Sequence, residues 1–260
     1  MNERKTLISL AVLAAAVVAT ATLASTGAAG TQSRTLDVPI LMYHRVDTLD
    51  PSLPSMTRRL TVDPAVFARQ MRWLDRHGYR TITQRELYEA LFHGRSLGPK
   101  PVLITFDDGY RNVFGKASPV LHKLGMKATA YVISSRVSNG DPSFLTWGQL
   151  RGLEARGVEI GSHTVRHRDL RTLSDAELRY ELVESRRRLE RALGHAVPWL
   201  AYPYGGHDAR VVRAARAAGY SLAVTTESGT LQRASAPLEL RRLSVIDSTG
   251  VAGLAAMLGG

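Results

Sequence analysis

Two adjacent carboxylates, Asp107 and Asp108, close the run Pro101-Val102-Leu103-Ile104-Thr105-Phe106 and are followed by Gly109. An ionised carboxylate at the buried end of an apolar strand must be paired, bound to a metal or neutralised, because charge left alone in a low dielectric is costly. A second group of titratable residues, His163 and His167, stands in Gly161-Ser162-His163-Thr164-Val165-Arg166-His167, directly after another apolar run. If that segment turns helically the two imidazoles share a face, and neutral imidazoles at this spacing are a common ligand pair for a divalent ion. A third segment, Ala201-Tyr202-Pro203-Tyr204-Gly205-Gly206, ends a further strand. Its Pro and Gly set a tight turn, and backbone N–H groups in such a turn can serve a tetrahedral oxyanion.

The spacing narrows the chemistry. A zinc protease would carry Glu after the first histidine, and Thr164 stands there, so no base is supplied from that position. Two histidines and one carboxylate also match the facial triad of a ferrous oxygenase, a reading that stays open but fits strand–helix alternation less well. The paired aspartates favour hydrolysis. Neighbouring side chains leave a strand end in different directions, so one carboxylate can bind a metal while the other faces a water whose pKa the metal lowers.

These groups need a scaffold that brings several strand ends together. Strands are expected at 38–44, 80–82, 101–106, 128–133, 157–162, 198–202, 220–225 and 240–246. Helices are expected at about 63–77, 84–93, 115–124, 146–156, 174–193, 207–218 and 249–258. Asp63-Pro64 reads as N-cap and first helical residue, and Ser174 with Glu177 as a capping box in the helix that Gly194 stops. Residues 47–61 read as a loop. Such alternation implies parallel strands with crossover helices. About seven units without an internal linker imply one domain, a distorted (β/α)7 barrel of the α/β class, whose C-terminal strand ends gather the site.

The chain has 260 residues, 44% of them apolar and 22% charged, enough for one well-buried core. It has no cysteine, which excludes disulfides and thiolate chemistry. Residues 1–30 open with Met1-Asn2-Glu3-Arg4-Lys5, continue as an apolar stretch from Leu7 to Leu23 and end in small residues. That is the layout of a signal peptide, although roughly 17 apolar residues also approach the length of a membrane anchor. Residues 31–37 read as a tether, 38–260 as the catalytic domain, and the location as extracellular or cell-envelope. The net charge of +11 comes chiefly from arginines, notably Arg179 to Arg191 and Arg210 to Arg216. No recognised nucleic-acid motif accompanies them. Electrostatic association with anionic wall polymers or a membrane surface suits an exported chain better.

Thr-Phe-Asp-Asp-Gly, then His-Thr-x-x-His, then Tyr-Pro-Tyr-Gly, in this order, resemble the polysaccharide deacetylases, the NodB-homology domain of carbohydrate esterase family 4. Leu145-Thr146-Trp147-Gly148-Gln149-Leu150 and Met42-Tyr43-His44 are similar to the branch that deacetylates the exopolysaccharide poly-N-acetylglucosamine. The resemblance implies a metal-dependent hydrolase that removes N-acetyl groups from an N-acetylated polysaccharide and releases acetate. It implies Asp107 as general base, Asp108, His163 and His167 as metal ligands, and the Tyr204 backbone N–H on the oxyanion. Zinc is the default ion, with nickel, cobalt or iron fitting the same ligands. Acetyl-xylan O-deacetylation on the same machinery, and a non-catalytic wall-binding module, are the alternatives. The sequence departs from the family pattern at three points. Ala201 stands where an Arg usually pairs with the catalytic Asp, leaving Arg241 or Arg242 as substitutes. No histidine follows His207 to act as general acid; the resembled branch has an early histidine in the pocket, which implies His44 as the acid or as a group contacting the acetate. No tryptophan follows Trp199 to form a lid, and Trp147 reads as core packing.

Overall fold

The computed structural model describes residues 34–259. The expected signal peptide or anchor at 1–30 lies outside them. Seven parallel strands form the frame: β1 (Ile40–Tyr43), β2 (Pro101–Phe106), β3 (Ala128–Val132), β4 (Val158–Ser162), β5 (Trp199–Ala201), β6 (Leu222–Ser228) and β7 (Leu240–Ser244). They pair in chain order, and β7 returns to β1 through Leu243↔Leu41 and Ser244↔Met42, closing the distorted (β/α)7 barrel that the sequence implies. Arg80–Thr81 adds a short parallel ladder to the outside of β2. The distortion lies in the register. Five residue pairs join β3 to β4, whereas Ser162↔Leu200 alone registers β4 with β5.

The crossover helices are α1 (Pro64–Arg76), α2 (Gln84–His93), α3 (Ser118–Lys123), α4 (Trp147–Glu154), α5 (Asp175–Leu193), α6 (Ala209–Ala217) and α7 (Val251–Met257). Their caps are the ones the sequence announces. Asp63 accepts from the Ala65 and Val66 N–H groups, Ser174 and Glu177 form a reciprocal box, and Gly194 ends α5 in the left-handed region. Trp147 packs half-buried against the core at the start of α4.

Both faces of the strands are buried, as parallel barrels require. Val102, Ile104 and Phe106 of β2 join the layer shared with α1, α3 and α4, while Leu103 faces the inner cluster with Ile40, Tyr131, Val224 and Leu240. Side chains alternate along a strand, so Thr105 and Asp107 continue the inward row of Leu103. The same parity puts His44 in line with Ile40, Arg242 with Leu240 and His163 with Gly161. The mouth of the lumen is therefore built by extending inward rows past the apolar layer.

Four expectations need correction. Residues 35–37 of the expected tether pair antiparallel with Leu231–Arg233, a ribbon too short to show periodicity. The expected loop 47–61 contains a helix at Ser55–Arg59. The expected helix 115–124 is divided into a π-turn, Val113–Ala117, followed by α3. The segment carrying the two histidines is not helical but an irregular loop, with Thr164 and His167 both at positive φ.

Candidate active site

Asp107 lies in the lumen against Arg242. The guanidinium Nη1 donates to Oδ1 at 2.8 Å and Nη2 to Oδ2 at 2.7 Å, and both side chains are buried. Arg242 is itself fixed, with Nε donating to the Thr225 carbonyl at 2.7 Å and Nη1 to Thr105 Oγ1 at 3.2 Å. Burial alone would raise the Asp107 pKa. The charge and hydrogen bonds of Arg242 outweigh it and hold the carboxyl well below the usual range. Between the two candidates for the missing arginine, geometry selects Arg242. Arg241 points outward instead, 3.4 Å from Glu227.

Asp108 follows at φ 73°, turning its carboxylate away from the direction of Asp107. Its Oδ1 is 3.5 Å from His163 Nε2 and 3.5 Å from His167 Nε2. His163 Nδ1 is 2.8 Å from the Ala201 carbonyl, a contact that requires Nδ1–H as donor and leaves Nε2 with its lone pair free. Burial lowers the pKa of His163, and burial followed by the neighbouring His163 lowers that of His167 to about 4. Both shifts favour the neutral imidazole, the form that can bind a metal. Burial raises the pKa of Asp108.

This donor set fits a divalent metal. One ligand atom from each of Asp108, His163 and His167 lies within 4.8 Å of the others. Two donors about 2.1 Å from one tetrahedral ion are about 3.4 Å apart, close to the 3.5 Å separations here. A harder Ca²⁺ or Mg²⁺ site would be made of oxygens.

Tyr204 sits in the short turn Pro203–Gly205 after β5, at φ 59°; the residue is 67% exposed, and its ring centroid is 4.6 Å from that of His167. The turn requires Gly205, where a Cβ would collide with Thr226 Oγ1 at φ 70°. His44 is half-buried beyond β1, its Nδ1 is buried without a partner among the described residues, and it stands near Asp107, Asp108, His163 and His167. His207 is excluded from the cluster, stacked on Tyr202 with Nδ1 against the Gly205 carbonyl. Among the described residues, four of the six non-glycine residues at positive φ are Asp108, Thr164, His167 and Tyr204. Backbone strain is therefore concentrated where the functional groups converge.

The polysaccharide deacetylase family model matches residues 94–223, a span from α2 to β6 that contains both the aspartate pair and the histidine loop. YxkH of Bacillus subtilis, which carries the same family name, is 34% identical over 84% of this chain and 74% of its own length. The chain belongs to the polysaccharide deacetylase family. A poly-beta-1,6-N-acetyl-D-glucosamine N-deacetylase of Escherichia coli is 31% identical over 41% of this chain, which covers only 18% of that protein. Among solved structures, the Streptococcus pyogenes deacetylase PplD in complex with acetate superposes with a TM-score of 0.80 at 29% identity, over 86% of this chain and 99% of that one. In this polysaccharide deacetylase, the buried partner of the aspartate pair comes from β7, outside the matched residues.

Proposed function

We propose that the chain is an exported, metal-dependent N-deacetylase that hydrolyses the N-acetyl groups of an N-acetylglucosamine-containing polymer. The observation that carries the reading is the meeting of two constellations at one barrel mouth. One is the Asp108–His163–His167 donor set, and the other is the Asp107–Arg242 pair beside it. The name of the E. coli relative supports the amino-sugar substrate, and the layout of residues 1–30 supports export. Zinc is our choice of ion, since two imidazoles and one carboxylate suit it.

When bound by Asp108, His163 and His167, the ion would polarise the acetyl carbonyl and lower the pKa of a water. Asp107, kept ionised by Arg242, takes a proton from that water as its oxygen attacks the acyl carbon. The Tyr204 backbone N–H donates to the oxygen that becomes negative. As the C–N bond breaks, His44 gives a proton to the departing nitrogen, leaving a free amine and acetate. The strong ion pair makes Asp107 a ready donor of the proton it has received, which passes to His44 and resets both groups, while the acid product loses its own proton to solvent as acetate. Arg-rich helices α5 and α6 would hold the domain near anionic wall polymer or lipid.

The test is acetate release from N-acetylglucosamine oligomers and from acetylated xylan by the zinc-loaded protein, with Asp107→Asn alongside. Release from the amino-sugar oligomers, reduced at least ~100-fold in the variant, is expected. Release from xylan alone would make the enzyme an O-deacetylase. Release from neither by zinc-replete protein would overturn the proposal in favour of a wall-binding role.

A further inference from the structure

Glu181 on α5 takes no part in the chemistry above, yet it is 1% exposed and meets no basic side chain among the described residues. Its Oε2 accepts the Val165 N–H at 2.9 Å and the Arg166 N–H at 2.8 Å, while Oε1 is buried without a partner. One helical turn further on, Ser185 Oγ donates to the Thr164 carbonyl at 2.9 Å and lies 2.8 Å from Ser162 Oγ. Ser162 Oγ in turn accepts the Thr164 N–H at 3.2 Å. The contacts to Thr164, Val165 and Arg166 fall on the segment between the two proposed ligand histidines, and Ser162 adjoins it. That segment is strained at both ends, with Thr164 at φ 65° and His167 at φ 59°. Non-glycine residues stay in the left-handed region only when their surroundings over-determine it.

Helix α5 supplies that constraint. One oxygen of Glu181 accepts both N–H groups and Ser185 holds the carbonyl just before them, so a single helix face sets the path of the chain from Thr164 to His167.

We propose that Glu181 is a positioning residue of the metal centre, clamping the Val165 and Arg166 N–H groups so that His167 keeps its place opposite Asp108 and His163. The inference rests on the metal-dependent reading of the site. It extends the donor set to the helix behind it, as outer partners of ligand histidines commonly do.

The experiment is a zinc titration of the chelator-stripped full chain, with Glu181→Ala, Glu181→Gln and Ser185→Ala beside wild type. Circular dichroism and thermal melting of the metal-free proteins report folding. Zinc affinity is expected to fall ~10–100-fold in Glu181→Ala, the range seen when outer partners of a metal ligand are removed. Glutamine keeps an acceptor oxygen but not the charge, so Glu181→Gln should lose less, about 3–10-fold, and Ser185→Ala less again. A folded Glu181→Ala with wild-type zinc affinity overturns the proposal. If alanine prevents folding, wild-type affinity in Glu181→Gln overturns it equally. Acetate release, assayed in parallel, separates the two readings. A wild type that binds zinc but releases no acetate refutes the deacetylase and leaves the role of Glu181 standing, whereas a wild type that binds no zinc refutes both.

Discussion

Asp107 and Arg242 make a buried ion pair whose attraction is offset by the cost of removing both charges from water. The pair contributes less to net stability than its geometry suggests, but losing one partner is severe. Replacing Arg242 with Met should destabilise the metal-free protein by about 3–5 kcal/mol, because Asp107 would be left uncompensated. Urea unfolding measures this, and the double variant Asp107→Asn/Arg242→Met should cost less than the sum of the singles. The same change has a kinetic signature. Without Arg242, burial dominates and the Asp107 pKa rises, so Arg242→Met should lose kcat/KM on the acid side at higher pH than wild type. The sequence narrowed the missing arginine to two neighbours and could go no further. On an amphipathic surface strand, polarity would tell Arg241 from Arg242. Here Leu240 and Leu243 have opposite parity, the first buried in the inner cluster and the second half-buried against the outer one, so the apolar pattern does not mark the lumen. Counting from Ile40, Leu103 and Leu240 as one inward layer is the signal that resolves it, and that needs the closed barrel.

At the scale of elements, the strands and capped helices were legible because each carries its own period or cap. The loops were not. The i, i+4 spacing of His163 and His167 suggests a helix, but His163 is placed by strand parity and His167 by a strained turn held from α5. The spacing singled out two residues that the structure does bring together, but through a loop and not a helix. The short ribbon at 35–37 and the helix at Ser55–Arg59 were missed because three to five residues are too few to show a pattern. This loop also sets a pH dependence. In the metal-free fold the His167 pKa is depressed to about 4, against an ordinary value of 6.5. As pH falls below 6.5 the unfolded chain takes up a proton that the folded chain refuses, so stability drops until about pH 4, where the folded form is protonated too. Between pH 7 and 4.5 the metal-free protein should therefore lose urea stability, and His167→Asn should lose measurably less. Equal slopes in the two proteins would show that the loop does not hold His167 neutral.

The whole barrel is closed, but not evenly. Four residue pairs bind β1 to β2 and five bind β3 to β4, whereas one registers β4 with β5. The weak seam runs between the strand that leads to His163 and the strand that leads to Tyr204. What crosses it is a side chain: His163 Nδ1–H donates to the Ala201 carbonyl at 2.8 Å. A residue of the proposed metal site therefore doubles as a rivet between two strands that the backbone ladder barely joins. Local opening follows the regions with fewest backbone and apolar ties, so amides around 161–163 and 199–202 should exchange hydrogen faster than those of β1 and β2. Zinc fixes the His163 ring and with it the Nδ1–H contact, so adding it should slow exchange at the seam about tenfold or more while leaving the β1–β2 amides unchanged. Exchange mass spectrometry of the stripped and zinc-loaded protein reads both effects. Uniform protection without metal would show that the seam is as stable as the rest of the wall. Uniform slowing on zinc would show that the ion stabilises the fold as a whole rather than closing this joint.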